Sequence, residues 1–167
     1  VSARSLHDGR IVDDVEEVLL THDLPPDRLV VEVTESAVMT DPDRAREVLS
    51  SLASRGVAVA IDDFGIGFTS LGQLKKLPVH ELKIDKSFVM GMAGEEGADT
   101  AIVRSTADLA HNLGLNVVAE GVEDQWTLDL LSTFGCDQAQ GYHIARPMPA
   151  AAFGGWMAGS PWHVLPS

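Results

Sequence analysis

DPDRAREVLSSLASRGVAVAIDD, residues 41–63, holds a helix, a stop and a strand in that order, and its reading decides the fold. Asp41 followed by Pro42 is a helix start, with Asp as the N-cap and Pro in the first turn. Ala45, Val48, Leu49 and Leu52 then recur at helical spacing on one face, and Gly56 ends the run. Residues 57–61 form a short apolar stretch rich in β-branched side chains, the pattern of a buried strand. The same alternation extends in both directions. Upstream, Ile11, Val15, Val18 and Leu19 place an amphipathic helix over 11–20, Pro25 and Pro26 break it, and 29–33 is the next strand. Downstream come a loop with Gly65, Gly67 and Gly72, a short helix over 71–77 ended by Pro78, and a strand over 81–85. A helix over 100–113, a strand over 115–119, a helix over 124–134 and a last strand over 136–140 complete the pattern before a tail rich in Ala, Gly and Pro. Strands separated by helices predict an α/β fold with a parallel sheet, open or closed into a barrel.

Composition narrows the function. The 167 residues carry 12 Lys or Arg against 25 Asp or Glu, so the formal charge is 12 minus 25, or -13. A chain this acidic lacks the basic field that DNA or RNA backbones need. With 45% hydrophobic residues it can bury a core, and its length suits one domain. A single cysteine, Cys136, cannot form an internal disulfide, no apolar stretch approaches the roughly 20 residues of a membrane span, and no signal-peptide pattern opens the chain. The expected compartment is the cytoplasm. Because the first residue is Val1 rather than Met, the chain is expected to be cut from a longer protein.

Polar groups interrupt the strands near their C-terminal ends: Glu32, then Asp62 and Asp63, then Lys83 and Asp85, then Glu120, then Gln140. In parallel α/β folds those ends converge on one face, so the groups would share a site. Taken singly, each has an ordinary explanation. Glu32 could pair with a lysine, Asp62-Asp63 could be a turn or cap, and Lys83 could neutralise Asp85. Recurrence at the same end of successive strands favours a common role, since independent structural needs would scatter the charges. Gathered carboxylates repel, and hard divalent cations with oxygen ligands relieve that repulsion and attract an anionic phosphate substrate. Gly65-Ile66-Gly67 lacks the third glycine and following helix of a dinucleotide fingerprint, and Asp63-Phe64-Gly65 matches the kinase triplet by chance, with no catalytic loop beside it. His7, His22, His80, His111, His143 and His163 have no ligand-like spacing, and Phe153, Trp156, Met157 and Trp162 are expected to cover part of the body.

The segments 32–36 (Glu-Val-Thr-Glu-Ser), 62–71 (Asp-Asp-Phe-Gly-Ile-Gly-Phe-Thr-Ser-Leu), 82–85 (Leu-Lys-Ile-Asp), 119–123 (Ala-Glu-Gly-Val-Glu) and 140–142 (Gln-Gly-Tyr) resemble, in order, the motifs of the EAL-domain family of bacterial cyclic di-GMP phosphodiesterases. The resemblance implies a TIM-like (β/α) barrel, here incomplete because its N-terminal strands are missing, with 1–155 as the partial domain and 156–167 as a tail. It implies two divalent cations, Mg or Mn, held by Glu32, Asp62 and Asp63, and hydrolysis of cyclic di-GMP to linear diguanylate. Lys83 resembles the lysine that positions the attacking water, Glu120 the general base, and Asp85 and Gln140 supporting groups. Glu35 resembles the glutamate that holds the loop after Asp62-Asp63, a loop linked to dimerisation. The loop departs from the common pattern at Ile66, Phe68 and Thr69. The Glu-Ala-Leu motif and an Asn ligand are absent, so the chain alone is expected to be weak or inactive. A homodimer and a separate sensor domain are further implications. The alternative is a catalytically silent module that binds cyclic di-GMP or a protein partner.

Overall fold

A computed structural model describes residues 1–67, 71–93 and 97–162; Phe68, Thr69 and Ser70 of the glycine loop and His163 lie outside the described residues. Helices Ala3–Asp8 (α1) and Ile11–Thr21 (α2) lead to strand Val30–Thr34 (β1), then helices Glu35–Thr40 (α3) and Pro42–Ser54 (α4). Strand Ala58–Phe64 (β2), helix Leu71–Leu74 (α5), strand Glu81–Ile84 (β3) and helices Lys86–Gly91 (α6) and Ala98–Asn112 (α7) follow. Strand Asn116–Glu120 (β4), helix Gln125–Thr133 (α8), strand Gln138–Gln140 (β5) and helix Ala150–Gly159 (α9) complete the order. The five strands are all parallel and lie side by side in chain order. Sequential order with a helical crossover at each step is the arc of a TIM-like barrel.

The opening stretch folds as its chemistry dictates. Asp41 caps α4 by accepting from the Arg44 amide at 3.1 Å, with Pro42 in the first turn. The buried face of α4 is Ala45, Val48, Leu49 and Leu52, packed on the outer face of the sheet. Burying a leucine completely stabilises by about 1.5–3 kcal/mol, and both Leu49 and Leu52 are fully buried. Val31 and Val33, Val59 and Ile61, Leu82 and Ile84, and Val117 and Ala119 form the matching outer layer. Successive side chains in a strand face opposite ways. Glu32, Ala60, Glu81, Lys83, Val118, Glu120, Gln138 and Gln140 therefore take the inner face.

Each expected strand is present, but two details differ. Asp62 and Asp63 lie within β2, which runs on to Phe64, rather than after it. The pairing of β2 with β3 slips there: Ile61 stands opposite Leu82, but Phe64 opposite Ile84, so Asp62 and Asp63 together face the single residue Lys83. This is a β-bulge, and Asp63 adopts φ +54° within it. In a regular strand one of two adjacent aspartates would be driven into the helix layer; the extra residue relieves that conflict. The stretch rich in Ala and Gly after Pro147 holds a helix, α9, over Ala150–Gly159. Phe153 and Trp156 pack on each other at 5.6 Å between ring centroids, while Trp162 meets the His143 ring at 5.8 Å. No helix among the described residues is long and apolar enough to cross a membrane.

Candidate active site

Parallel strands bring Glu32, Asp62, Lys83 and Glu120 together from four different segments. The Lys83 side chain is only 6% exposed, and its ammonium Nζ lies 2.8 Å from Glu32 Oε1, 3.2 Å from Asp62 Oδ1 and 2.7 Å from Glu120 Oε1. Burial alone would push this lysine down, but the carboxylates of Glu120, Glu32 and Asp62 outweigh it and hold the ammonium above its ordinary pKa. Lys83 is therefore a fixed cation. Three formal carboxylate charges around one ammonium leave two negative charges in excess. Asp62 Oδ1 is buried and has no partner among the described residues beyond its 3.2 Å ion pair with Lys83.

Asp63 sits beside this cluster. Burial, followed by repulsion from Asp62 and Asp85, raises its carboxyl above the usual aspartate value. Asp85 behaves in the opposite way. Burial would raise it, but Asp85 Oδ1 accepts from the Ser87 amide at 2.8 Å and the Ser87 hydroxyl at 2.5 Å, and these bonds bring its pKa below the usual value. Asp85 thus caps α6 through its bonds to Ser87. Gln140 lies directly opposite Glu120 in the β4–β5 ladder and is exposed.

Glu35 stands at the first turn of α3, whose N-cap is Thr34, with Thr34 Oγ1 accepting from the Ala37 amide. Its carboxylate is buried, and Oε2 accepts from the Gly65 amide at 3.1 Å and the Gly67 amide at 3.2 Å. This ties the start of the loop after β2 to α3. A Cβ at Gly67 would stand 2.7 Å from Glu35 Cδ, so a side chain there must displace the Glu35 carboxylate from the amides it accepts from.

Among the described residues, no three His, Cys, Asp or Glu side chains converge closely enough to hold a metal ion as they stand. The carboxylates meet on Lys83 instead. The chemistry of the donors still suits a hard cation: all are carboxylate oxygens, they carry excess negative charge, and the buried Asp62 Oδ1 has only Lys83 as a partner among the described residues. Residue patterns assigned no role to three residues of the site. Ser87 follows Asp85 at capping distance, a signal present in the sequence. Lys86 and Tyr142 line an open cleft of about 510 Å³ together with Glu120, Gln140 and Glu123, and only the fold reveals that shared wall.

Comparison with known proteins agrees with this fold. The EAL domain family model matches residues 1–147. The bifunctional diguanylate cyclase/cyclic di-GMP phosphodiesterase MucR of Pseudomonas aeruginosa is 43% identical over 150 residues, covering 90% of this chain but 22% of that protein. The chain thus spans about a fifth of the length of the curated relatives it matches. Among solved structures, the PaMucR phosphodiesterase in complex with c-di-GMP superposes with a TM-score of 0.88 at 42% identity, covering 92% of this chain and 62% of that one. The EAL domain of Mycobacterium smegmatis DcpA gives 0.86 at 39% identity, with 96% and 71% covered. The Klebsiella pneumoniae BlrP1 complex with manganese and cy-diGMP gives 0.75 at 37% identity, with 81% and 34% covered. With the family model matching most of its length and the same fold recurring in these relatives, the chain belongs to the EAL domain family.

Proposed function

We propose that this chain belongs to a phosphodiesterase that hydrolyses cyclic di-GMP to linear diguanylate with two divalent cations, Mg or Mn. One observation carries the reading: Lys83 ringed by Glu32, Asp62 and Glu120 at the inner face of a parallel sheet, inside a fold shared with proteins solved with this dinucleotide. Glu32, Asp62 and Asp63 would hold the cations, the donor set being oxygen throughout. Bound there, the cations would lower the pKa of a water and stabilise charge on the phosphate. Glu120 accepts the proton of the attacking water, its Oε1 held by Lys83 at 2.7 Å. Lys83 donates hydrogen bonds and offsets phosphate charge. Asp85 fixes the turn that follows β3, Gln140 borders Glu120, and Glu35 sets the loop after the aspartates.

The convergence of the carboxylates on Lys83, rather than on a shared point, favours a second reading: a silent module that binds the dinucleotide or a protein partner. Residues 1–155 as the catalytic body with a C-terminal tail, a cytoplasmic location, a homodimer and a separate sensor domain belong to the first reading and rest on family membership.

Chromatography after incubation with cyclic di-GMP and Mg or Mn tests the choice. The chain is assayed beside a form carrying about 80 further upstream residues, enough for a barrel of ordinary size. Linear diguanylate from either form supports the phosphodiesterase. Binding without product from both supports the silent module.

A further inference from the structure

The bulge that carries Asp62 and Asp63 to the inner face is not secured by the sheet alone. On the β1 side the ladder ends where Thr34 meets Asp62, and on the β3 side it resumes only at Phe64. Asp63 therefore has no ladder partner among the described residues. Asp63 at φ +54° and Gly65 at φ +102° both have positive φ. A non-glycine residue persists in such a conformation only when its surroundings over-determine it. Repulsion between two adjacent carboxylates adds to the demand.

Two groups from outside the strand grip the chain just beyond the bulge. From α3, Glu35 Oε2 accepts from the Gly65 and Gly67 amides. From α6, the Phe88 ring covers the face of Gly65 from which a side chain would project: a Cβ there would stand 2.9 Å from Phe88 Cε2 and 3.4 Å from Cζ. Asp85 places that helix, accepting from the Ser87 amide at 2.8 Å, while the Phe88 amide donates to the Asp85 carbonyl at 3.2 Å. Within α6 the roles divide. Val89 is 1% exposed and belongs to the core, whereas Phe88 is half-buried.

An aromatic ring on a short helix ordinarily serves to fill the core. Phe88 differs in what it touches. Gly65 lies two residues past Asp63, at most about 7 Å along the chain, and a ring packed on a glycine blocks the backbone rotation through which the bulge would relax. We infer that Phe88 is a positioning residue: by packing on Gly65 it holds the bulge, so that Asp62 and Asp63 together keep their carboxylates at the inner face. This rests on the reading of those aspartates as cation ligands and adds to it the residue that fixes them in place. Asp85 then acts at one remove, through the helix it caps.

The test uses the complete domain, with Val89→Ala as the control, since that substitution removes core packing from the same helix and keeps the ring on Gly65. Hydrogen exchange read by mass spectrometry, without added metal, reports on the backbone over 63–67. Phe88→Ala should speed exchange there about three- to thirtyfold and weaken Mn binding, measured by calorimetry, by a similar factor. Val89→Ala should change neither, although it lowers the stability of the whole domain. Phe88→Leu, which keeps apolar bulk without the reach of the ring, should show both changes at about two- to fivefold, and it decides the matter if the alanine variant does not fold. Unchanged exchange over 63–67 on loss of the ring overturns the positioning role and leaves the cation reading standing. Faster exchange with unaltered Mn affinity overturns it as well, because the aspartates are then held by other contacts. Equal effects of Phe88→Ala and Val89→Ala reduce the ring to core packing and overturn it too. If loss of the ring alone loosens 63–67 while the unaltered domain binds no Mn, the hold on the bulge is upheld and the cation reading falls.

Discussion

The two faces of the sheet are made from the same strands yet obey different rules. On the outer face, Val33, Val59, Leu82 and Val117 are fully buried under helices. On the inner face, Glu32, Lys83, Glu120 and Gln140 alternate with them, and the buried member, Lys83, is stabilised by three carboxylates rather than by apolar contact. Leu82 and Lys83 are neighbours, both almost completely buried, and reach opposite environments through one peptide unit. The two-residue period of a strand thus lets stability and chemistry be encoded side by side with little interference.

Substitutions at these neighbours should separate the two roles. In the complete domain, Glu120→Gln is expected to reduce turnover about 10²- to 10⁴-fold, the range of a lost general base, and Lys83→Ala by about 10²- to 10³-fold. Circular dichroism should show the fold retained in both, and substantial residual turnover would remove that residue from the mechanism. Leu82→Ala reverses the pattern: a denaturant titration should show about 2–5 kcal/mol of stability lost, with the residual folded fraction still binding ligand.

Glu35→Ala lies between the two faces. It deprives the Gly65 and Gly67 amides of their acceptor, so about 1–3 kcal/mol should be lost. Half-maximal activity should also require several-fold more Mg, and an unchanged metal titration would count against the loop role.

The smallest expected effect lies at the N-terminal edge of the sheet. Asp137 Oδ2 accepts from the Val117 amide at 2.7 Å and pairs with His111 Nε2 at 3.0 Å. The His111 contact first, against the opposing effect of burial, holds this carboxyl below its ordinary value. A group with a lowered folded pKa contributes stability above its unfolded value, about 3.9, and that stability fades as pH falls toward the folded value. Thermal melts between pH 5 and pH 2, run at about half-unit steps, should show Asp137→Asn losing less stability than the parent over that window.

Much of this architecture was legible because local signals agreed. Asp41, Pro42, the Ala45-Val48-Leu49-Leu52 face and Gly56 all specify the same helix, and α4 occupies Pro42–Ser54. The polar residues at the strand ends were legible by recurrence, and Glu32, Asp62, Lys83 and Glu120 do meet. The bulge was not. It is a mismatch between β2 and β3, and a register exists only once two strands are paired. Nor was α9, which is apolar on every side and so presents no helical period, with Gly154 and Gly155 weakening its propensity. α3 and α6 are each six residues long, too short for periodicity, and only their caps, Thr34 and Asp85, mark them.

The packing of Gly67 against Glu35 also constrains the order in which this chain can change. A side chain at position 67 meets the Glu35 carboxylate while Glu35 is present, and finds space once position 35 has been shortened. Gly67→Ala should therefore be harmful alone and milder in a Glu35→Ser background, which is epistasis of a directional kind.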